Sequence, residues 1–555
     1  MNTPIKVVCV NTNTTLSVEW GTSLGQLAQT ISSTNSLPFL AAYVNNSIRE
    51  LDYRISEPAT IKFIDITHFE GTRVYHRTLF LTLHKAVHDL YPTHRFRITQ
   101  SVSRGFYCEI EGIAPTEQVV EQIKERMNQL IAEGLPIKRH KQQREEVVEI
   151  YRKLGFEDKV AILTSRPNLY VTVYTLDDMA GYFYGALAPS TSYIHLYDLK
   201  PYYNGIYIAV PCRTAPNTLE VQVPQDKMFD IFQEYKHWVD VMGVSTVGSL
   251  NRKIVGGEGS DLVKIAEAFH EKKLAQVADQ VAEENRTRGA KVILVSGPSS
   301  SGKTTFSKRL GIQLRILGLE PVMISLDDYF LNRDQTPRDE SGDYDFETIN
   351  ALDIPTFNDH LMRLLAGESV EIPRYDFISG TRQWDGHTLT LGPRSVLVVE
   401  GIHALNPRLT AQVPDHFKFR IYLSCFTSIS MDDLSRIATT DNRLIRRIVR
   451  DNAYRGADAT STLKRWQSVR RGEEKHIFPY QENADVMFNS SLFYEIPVLK
   501  RHIIPLLYNV PDTVEEYGEA QRLLKFLDNF CEYDEAEIPP TSLLREFIGG
   551  SSFTY

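Results

Sequence analysis

The chain has 555 residues, of which 42% are apolar and 24% charged, and its formal charge is -9 from 61 basic and 70 acidic side chains. This length predicts roughly three to four domains of about 150 residues each, and the ordinary composition excludes disordered, collagen-like and coiled-coil proteins. The acidic balance argues against nucleic-acid binding by bulk charge. No apolar run is long enough for a membrane span, and five scattered cysteines without a CxxC pair favour a reducing, cytoplasmic location.

Short strands surround one helix in residues 1–66, which predicts a small α/β domain. Residues 67–225 carry two long helical patterns, one stopped by Pro92 and one running from Thr116 to Glu133, with strands between them. We therefore expect an α+β domain there. Residues 226–285 predict a helical connector in which residues 247–260 form a loop between two helices.

Residues 286–510 alternate between apolar strands and helices. The strands are KVILVS, PVMISL, SVLVVE and FKFRIYLS. This alternation predicts an α/β domain in which helices cover both faces of a parallel sheet. Residues 511–555 predict a C-terminal tail that ends in a loop, a short apolar turn and a polar terminus.

The first of these strands runs directly into a glycine-rich loop and then into a helix, in the pattern G-x-x-x-x-G-K-[ST]. Backbone N–H groups of such a loop curl around phosphate oxygens, and the helix N-terminus favours the anion. The pattern therefore predicts binding of ATP with Mg²⁺, in which Lys303 reaches the β and γ phosphates and Thr304 ligates the metal. The predicted phosphate-binding residues are Gly297, Pro298, Ser299, Ser300, Ser301, Gly302, Lys303, Thr304 and Thr305.

Acidic residues follow two further strands, and ligands of parallel sheets bind at the carboxyl ends of the strands. Asp327 ends PVMISL and is the candidate base that accepts a proton from an alcohol, with Asp328 as the alternative. Glu400 ends SVLVVE and is predicted to hold a magnesium-bound water.

Arginines cluster between residues 443 and 455. On a helix, Arg443, Arg447 and Arg450 share one face. This face, with Arg455 after it, predicts either a lid that closes over the transferring phosphoryl group or a solvated basic surface.

From Lys291 to Leu507 the chain resembles the uridine kinase and phosphoribulokinase family of P-loop kinases. The resemblance rests on GPSSSGKTT, SLDDYF, GDYDFE, IPRYDF, VLVVEG and RLIRRIVRD. It implies a P-loop NTPase fold and site residues at matching positions. These are Asp327 as the catalytic aspartate, Asp345 at the ribose, Tyr375 near the nucleoside, and Arg447, Arg450 and Arg455 as lid arginines.

Two positions depart from the nucleoside kinases of that family. Gly380 stands where they carry a base-reading histidine, and Ala457 stands where they carry another substrate-binding arginine. Because a glycine cannot hydrogen-bond to a base, the acceptor identity stays open.

The first 220 or so residues resemble other proteins. Residues 1–65 are similar to a TGS domain, a β-grasp module, and the following region is similar to the second additional domain of threonyl-tRNA synthetases. The metal-binding positions of the synthetase editing site are Arg77, Leu81, Val210 and Thr214 here, so we expect no editing hydrolysis. His84 and His88 have zinc-compatible spacing, but a surface pair without metal is the favoured interpretation.

The sequence therefore predicts an ATP-dependent kinase that phosphorylates the primary hydroxyl of a nucleoside or a related ribose-containing acceptor. A phosphoribulokinase-like sugar-phosphate kinase is one alternative. The other is a nucleotide-gated regulatory protein whose N-terminal domains bind RNA or a protein partner. Whether the chain forms a homo-oligomer stays open, and no membrane association is expected.

Overall fold

The computed structural model describes residues 4–31, 37–166, 168–339, 342, 344–376 and 379–554. Asp343 of the GDYDFE motif, Phe377 of IPRYDF and Ile378 after it lie outside the described residues. The strands are β1 (Ile5–Cys9), β2 (Thr14–Val18), β3 (Ala41–Val44), β4 (Ser47–Arg49), β5 (Ala59–Ile64), β6 (Phe96–Val102), β7 (Gly105–Ile110), β8 (Ile137–Gln143), β9 (Tyr170–Leu176), β10 (Met179–Gly181), β11 (Asp198–Tyr202), β12 (Gly205–Ala209), β13 (Pro211–Cys212), β14 (Ala215–Leu219), β15 (Val292–Ser296), β16 (Glu320–Ser325), β17 (Val370–Glu371), β18 (Arg374–Asp376), β19 (Thr381–Gln383), β20 (Thr388–Leu389), β21 (Ser395–Glu400), β22 (Lys418–Ser424) and β23 (Val486–Asn489). The helices are α1 (Leu24–Gln29), α2 (Phe69–Leu90), α3 (Glu117–Glu133), α4 (Arg144–Lys153), α5 (Glu157–Thr164), α6 (Asp226–Val241), α7 (Val247–Lys253), α8 (Gly259–Arg288), α9 (Lys303–Ile316), α10 (Ile354–Leu365), α11 (Thr439–Tyr454), α12 (Ala459–His476), α13 (Glu495–Tyr508), α14 (Tyr517–Leu527) and α15 (Arg545–Ile548).

The N-terminal module is a five-stranded sheet in the order β2-β1-β5-β3-β4. Strand β1 pairs antiparallel with β2 and parallel with β5, and β3 forms a hairpin with β4. Helix α1 packs its leucines into the buried side of this sheet. The small α/β module predicted from the sequence is confirmed.

The next region contains a four-stranded sheet, β11-β12-β7-β6, and a three-stranded sheet, β10-β9-β8. Helices α2 and α3 pack together, and their apolar side chains share one core with the strands. The hydroxyl of Thr116 caps α3, and Gly134 with φ of 64° ends it. Both long helices therefore lie where the sequence predicts them.

The predicted loop at residues 247–260 is wrong. Helix α7 and a π-helical turn at Ile254–Glu258 occupy most of it. Thr246 and Ser249 form a reciprocal capping box that starts α7, and Val247 and Leu250 are fully buried. Of the glycines that favoured a loop, Gly248 is buried within α7, and the other three lie in the π-helical turn and at the start of α8. Tertiary burial therefore decides the conformation of residues 247–253.

The C-terminal sheet has the order β16-β21-β15-β22-β23, and all its neighbouring strands are parallel. Alternate residues of β15 point to opposite faces. Ile293 and Val295 lie in a core with α8 and α9, whereas Val292 and Leu294 lie in a core with α6 and α10. The predicted parallel sheet with helices on both faces is confirmed, and β23 is an additional strand that the sequence analysis missed.

The synthetase-like region and the kinase-like region share buried contacts. Val147 and Tyr151 of α4 belong to the same core as Ile293 and Val295 of β15. Lys159 of α5 lies 3.2 Å (Nζ–Oδ2) from Asp432, and both side chains are at most 1% exposed. Helix α8, the predicted connector, contributes to the same core, so the boundaries at 66, 225, 285 and 510 stay predictions. Within the described ranges, every helix is too short or too polar to cross a bilayer.

Candidate active site

The glycine-rich loop joins β15 to α9 at the carboxyl edge of the parallel sheet. A Cβ at Gly297 would overlap the carbonyl oxygen of Leu423, and Gly302 has φ of 88°, so both positions require glycine. Ser300 also has positive φ, at 60°. Residues 297–302 therefore form a tight turn that ends at the N-terminus of α9, the geometry expected of a phosphate-binding loop.

Lys303 is the first residue of α9. Its Nζ donates to the carbonyl of Pro298 at 3.2 Å. Burial lowers the pKa of Lys303, while the carboxylates of Glu400 and Asp327 oppose that shift. Glu400, the last residue of β21, and Asp327, just after β16, thus lie within electrostatic range of the loop lysine, as the sequence predicts.

Thr304 and Glu400 are in direct contact across the sheet edge. The Thr304 hydroxyl donates to Glu400 Oε1 at 3.1 Å, and the hydroxyl of Ser325, the last residue of β16, donates to the same oxygen at 3.3 Å. Burial and the nearby Asp327 raise the pKa of Glu400 to about 7. A hydroxyl beside a carboxylate of this kind fits the oxygen donors and water-mediated coordination that Mg²⁺ prefers.

Arg443 is neither a lid arginine nor part of a solvated basic surface. Its side chain is 1% exposed and forms an ion pair with the fully buried Glu473 of α12. Its Nε also donates to the carbonyl of Ser299 at 2.9 Å. Arg446 is buried in the same way against Glu495 of α13. Helical spacing identifies the face that Arg443 occupies but not the acid opposite it, so the sequence analysis missed this pair.

Arg447, Arg450 and Arg455 form a cluster beside the phosphate loop. Arg447 Nη1 donates to the Ser299 hydroxyl at 2.9 Å. All three guanidinium groups lie within 4 Å of Asp451. Burial acts to raise the pKa of Asp451, but the three arginines together lower it. Asp451 and its three arginines together carry a net positive charge beside the phosphate loop.

Tyr375 and Asp345, the residues predicted to bind the acceptor, each form a hydrogen bond with a neighbouring residue. The backbone N–H of Tyr375, a buried residue, donates to Asp328 Oδ1 at 3.1 Å. Asp345 Oδ1 accepts the N–H of Glu347 at 3.1 Å. Asp328 therefore holds the backbone of β18, while the charge of Asp327 acts on Lys303.

Gly380 has φ of 72°, and a Cβ there would lie 2.6 Å from Nε of Arg333. The guanidinium of Arg333 therefore fills the space that a side chain at 380 would need. It also lies close enough to lower the pKa of Tyr375, against the dominant effect of burial. Ala457, the other departing position, donates its N–H to the carbonyl of Asp451.

Three further residues belong to the site although the sequence analysis did not select them. Ser325 contacts Glu400, as described. Burial raises the pKa of Glu347 to about 7, and Arg447 opposes this rise. Glu546, near the C-terminus, accepts hydrogen bonds from Thr305. Glu347 lies two residues after Asp345 in the GDYDFE motif, so the motif itself could have identified Glu347 as a site residue. Glu546 belongs to no recognisable motif.

The editing positions of the synthetase-like region have no metal-ligand arrangement. Arg77 donates to Glu70 Oε1 at 3.1 Å and to the carbonyl of Ala186 at 3.0 Å. Leu81 and Val210 are buried among apolar side chains, and Thr214 is exposed. The absence of editing hydrolysis stays a prediction.

The interpretation of His84 and His88 as a surface pair is wrong for His84. His84 is 7% exposed and packs its ring against Phe96 and Phe156. It also lines a cavity of about 600 Å³ between the synthetase-like and kinase-like regions. That cavity has no residue of the phosphate loop in its wall, so it is separate from the candidate active site.

Comparison with known proteins agrees with this geometry. The family model described as "Phosphoribulokinase / Uridine kinase family" matches residues 292–495. The uridine kinase of Vibrio atlanticus is 30% identical over 222 residues, which cover 39% of this chain and 95% of that relative. A solved structure titled "Structure of a Possible Uridine Kinase from Bacillus stearothermophilus" covers 39% of this chain and 100% of that chain at 22% identity. Its TM-score of 0.27 is too low to support an inference about the fold.

The N-terminal region matches a different class of protein. The threonine–tRNA ligase of Desulforamulus reducens is 30% identical over 173 residues, which cover 31% of this chain and 27% of that enzyme. The chain thus spans about a quarter of the length of that ligase. Both resemblances predicted from the sequence are confirmed. The loop, the parallel sheet and a uridine kinase matched over nearly its whole length lead to one conclusion: this chain belongs to the phosphoribulokinase and uridine kinase family.

Proposed function

We propose that the chain is an ATP- and Mg²⁺-dependent kinase that transfers the γ-phosphoryl group to the primary hydroxyl of a nucleoside. Membership of the family supports a P-loop kinase acting on a small molecule. The observation that carries the proposal is the meeting of Lys303, the Thr304–Glu400 contact and Asp327 at one sheet edge. This set would supply a cation for the phosphates, oxygen ligands for magnesium and a carboxylate for the alcohol proton.

The phosphate loop and α9 would hold the triphosphate. Backbone N–H groups of residues 297 and 299–304 would donate to the phosphate oxygens, since Pro298 has no N–H, and Lys303 would neutralise the β and γ phosphates. Thr304 and Glu400 would hold Mg²⁺, which supplies charge neutralisation at the β and γ oxygens. Arg447, Arg450 and Arg455 stabilise the equatorial oxygens of the transferring group.

Asp327 would accept the proton of the acceptor hydroxyl as that oxygen attacks the γ phosphorus. The new O–P bond forms while the bond to the β–γ bridging oxygen breaks, and ADP leaves. The proton ends on the Asp327 carboxylate. The electrostatic effect of Asp327 on Lys303, at the carboxyl edge of the sheet, supports this role.

The acceptor site would lie between Asp345 and Tyr375, with Asp345 at the ribose hydroxyls. Arg333 takes the space beside Gly380 where related nucleoside kinases carry a histidine. A guanidinium donates to carbonyl oxygens of a base as well as to anions. Arg333 is therefore our candidate for the group that reads the acceptor.

The Arg333→Gln variant is expected to raise the KM for the acceptor by about 10- to 100-fold, because a hydrogen bond from a charged donor is lost. The KM for ATP and the kcat should change little. Steady-state kinetics with both substrates varied measures this separation. Arg363→Gln, which removes an exposed guanidinium on α10 that pairs with Glu368, is the matched control. An unchanged acceptor KM in the Arg333→Gln variant would remove Arg333 from the acceptor site.

The magnesium requirement is expected to rise as the pH falls below about 7. The raised pKa of Glu400, about 7, means that its carboxyl becomes protonated there and stops attracting the cation. Half-maximal activity should then need up to about tenfold more Mg²⁺ for each pH unit, since one proton competes with one cation. Magnesium titrations of initial rates between about pH 6 and pH 8 measure this effect.

The Glu400→Gln variant should need more Mg²⁺ at every pH and lose this dependence. Glu347→Gln is the control, because the pKa of Glu347 is also about 7 but its carboxyl has no contact with Thr304. A wild-type magnesium requirement that stays flat over this range would contradict the role of Glu400.

An assay of ADP release tests the proposed function directly. The acceptor panel contains pyrimidine nucleosides, purine nucleosides and sugar phosphates, and an RNA-binding measurement runs beside it. Release of ADP that depends on a nucleoside supports the proposal. Release that depends only on a sugar phosphate assigns a phosphoribulokinase-like activity, and RNA binding without any acceptor-dependent release assigns a nucleotide-gated binding protein.

A further inference from the structure

The C-terminal segment Ser542–Gly549 packs directly against the phosphate loop. Leu543, Leu544 and Phe547 are each at most 1% exposed and lie in the core that contains β15 and α9. A Cβ at Gly302 would overlap the side chain of Leu543. Residues from the end of the chain therefore form part of the wall of the phosphate site.

Glu546, in the same segment, contacts the N-terminus of α9. Its Oε2 accepts the hydroxyl of Thr305 at 2.6 Å and the backbone N–H of Thr305 at 3.3 Å. Thr305 is the third residue of α9, where N–H groups have no partner within the helix. In a phosphate-binding loop such donors take nucleotide phosphate oxygens. A carboxylate of this chain thus occupies donors that suit the ligand.

The charges around this contact disfavour a second anion. Glu546 lies near enough to Lys303 and Glu400 to shift the pKa of each upward. Together with Asp327, it makes a third carboxylate near the loop lysine. A triphosphate that enters must therefore displace the Glu546 carboxylate from Thr305 and also overcome its negative charge.

The segment itself is held in place. The Ser542 hydroxyl donates to Glu267 Oε1 of α8 at 2.5 Å. The guanidinium of Arg446 lies 5.0 Å from the centre of the Phe547 ring. Glu546, in contrast, is only half-buried. The side chain of Glu546 can leave Thr305 by rotation while the rest of the segment stays packed.

We propose that the Glu546 carboxylate is an internal competitor for a phosphate position of the nucleotide site and so sets the affinity for nucleoside triphosphates. This inference rests on the proposed function only in naming the ligand as a nucleoside triphosphate. Nucleotide binding moves Glu546 away from Thr305, and nucleotide release returns it. The residue determines affinity without taking part in the transfer itself.

Isothermal titration calorimetry of the full chain tests this proposal. The ligands are Mg²⁺-ATP and inorganic tripolyphosphate, and no acceptor is present. The Glu546→Gln variant is expected to bind both ligands about tenfold more tightly, because a charge-assisted hydrogen bond no longer competes. Glu546→Asp keeps the charge but is one methylene shorter, so it should bind more tightly than the wild type and less tightly than Glu546→Gln. Glu537→Gln, which neutralises an exposed carboxylate of the same tail, should match the wild type.

Equal or weaker binding by the Glu546→Gln variant would overturn the proposal. Thermal melting of each variant checks folding, and the Glu546→Asp variant alone decides the question if Glu546→Gln does not fold. The result is separable from the proposed function, because binding needs no turnover. If Glu546→Gln binds more tightly but no acceptor gives ADP release, the result would support the competing role of Glu546 and reject the proposed kinase activity. Absence of ATP and tripolyphosphate binding in every variant would reject both.

Discussion

The Asp327→Asn variant is expected to lower kcat by about 10²- to 10⁴-fold, because an amide cannot accept the proton of the acceptor hydroxyl. ATP binding should be unchanged or slightly tighter, since a negative charge near Lys303 is removed. Single-turnover measurements with saturating ATP, together with calorimetry of ATP binding, separate the two effects. Wild-type rates in this variant would contradict the role of Asp327 as the base.

The Asp328→Asn variant is the matched control for this prediction. Asp328 is the neighbouring carboxylate, and it accepts the backbone N–H of Tyr375. An amide oxygen can still accept that hydrogen bond, so kcat should fall by less than in the Asp327→Asn variant. If only the Asp328→Asn variant lost kcat, Asp328 and not Asp327 would be the base.

The Glu473→Gln variant is expected to lower the free energy of unfolding by about 3–5 kcal/mol, because it leaves the charge of Arg443 buried without a carboxylate. The two side chains are 1% and 0% exposed. Arg443 also donates to the carbonyl of Ser299, so the phosphate loop should loosen and the KM for ATP should rise. Thermal melting and ATP kinetics measure the two consequences.

The double variant Arg443→Met with Glu473→Met should recover much of the lost stability, because it removes both charges from the interior. It should not recover the KM for ATP, since the contact to Ser299 is also gone. Glu474→Gln provides the control: its side chain is 50% exposed and pairs with Arg470, so its effect should stay below about 1 kcal/mol. If the Glu473→Gln variant also lost less than about 1 kcal/mol in the free energy of unfolding, the buried pair would not stabilise the fold.

The parts of the site that the sequence predicted depend on local patterns. Short stretches of sequence define the glycine-rich loop and the strand before it. Short stretches likewise define the strands that lead to Asp327 and Glu400. Chain topology then brings the carboxyl ends of parallel strands to one edge. For this reason, the position of Asp327 and Glu400 at the ends of two strands was enough to predict that they lie near Lys303.

The parts that could not be predicted depend on distant partners. Thr305 and Glu546 are 241 residues apart, and nothing in the tail marks Glu546 as a neighbour of the loop. Helical spacing alone could not show that Arg443 faces Glu473 rather than solvent. The loop predicted at residues 247–260 was wrong for a related reason, since the burial of Val247 and Leu250 outweighs the effect of the glycines in this segment.

The apolar core shared by the synthetase-like and kinase-like regions limits which substitutions this protein can tolerate. Val147 and Tyr151 lie far before the phosphate loop, yet they belong to the same apolar core as β15. Loss of the synthetase-like region would expose apolar side chains of this shared core on the kinase-like region. Substitutions at these early positions are therefore expected to destabilise the kinase-like region as well.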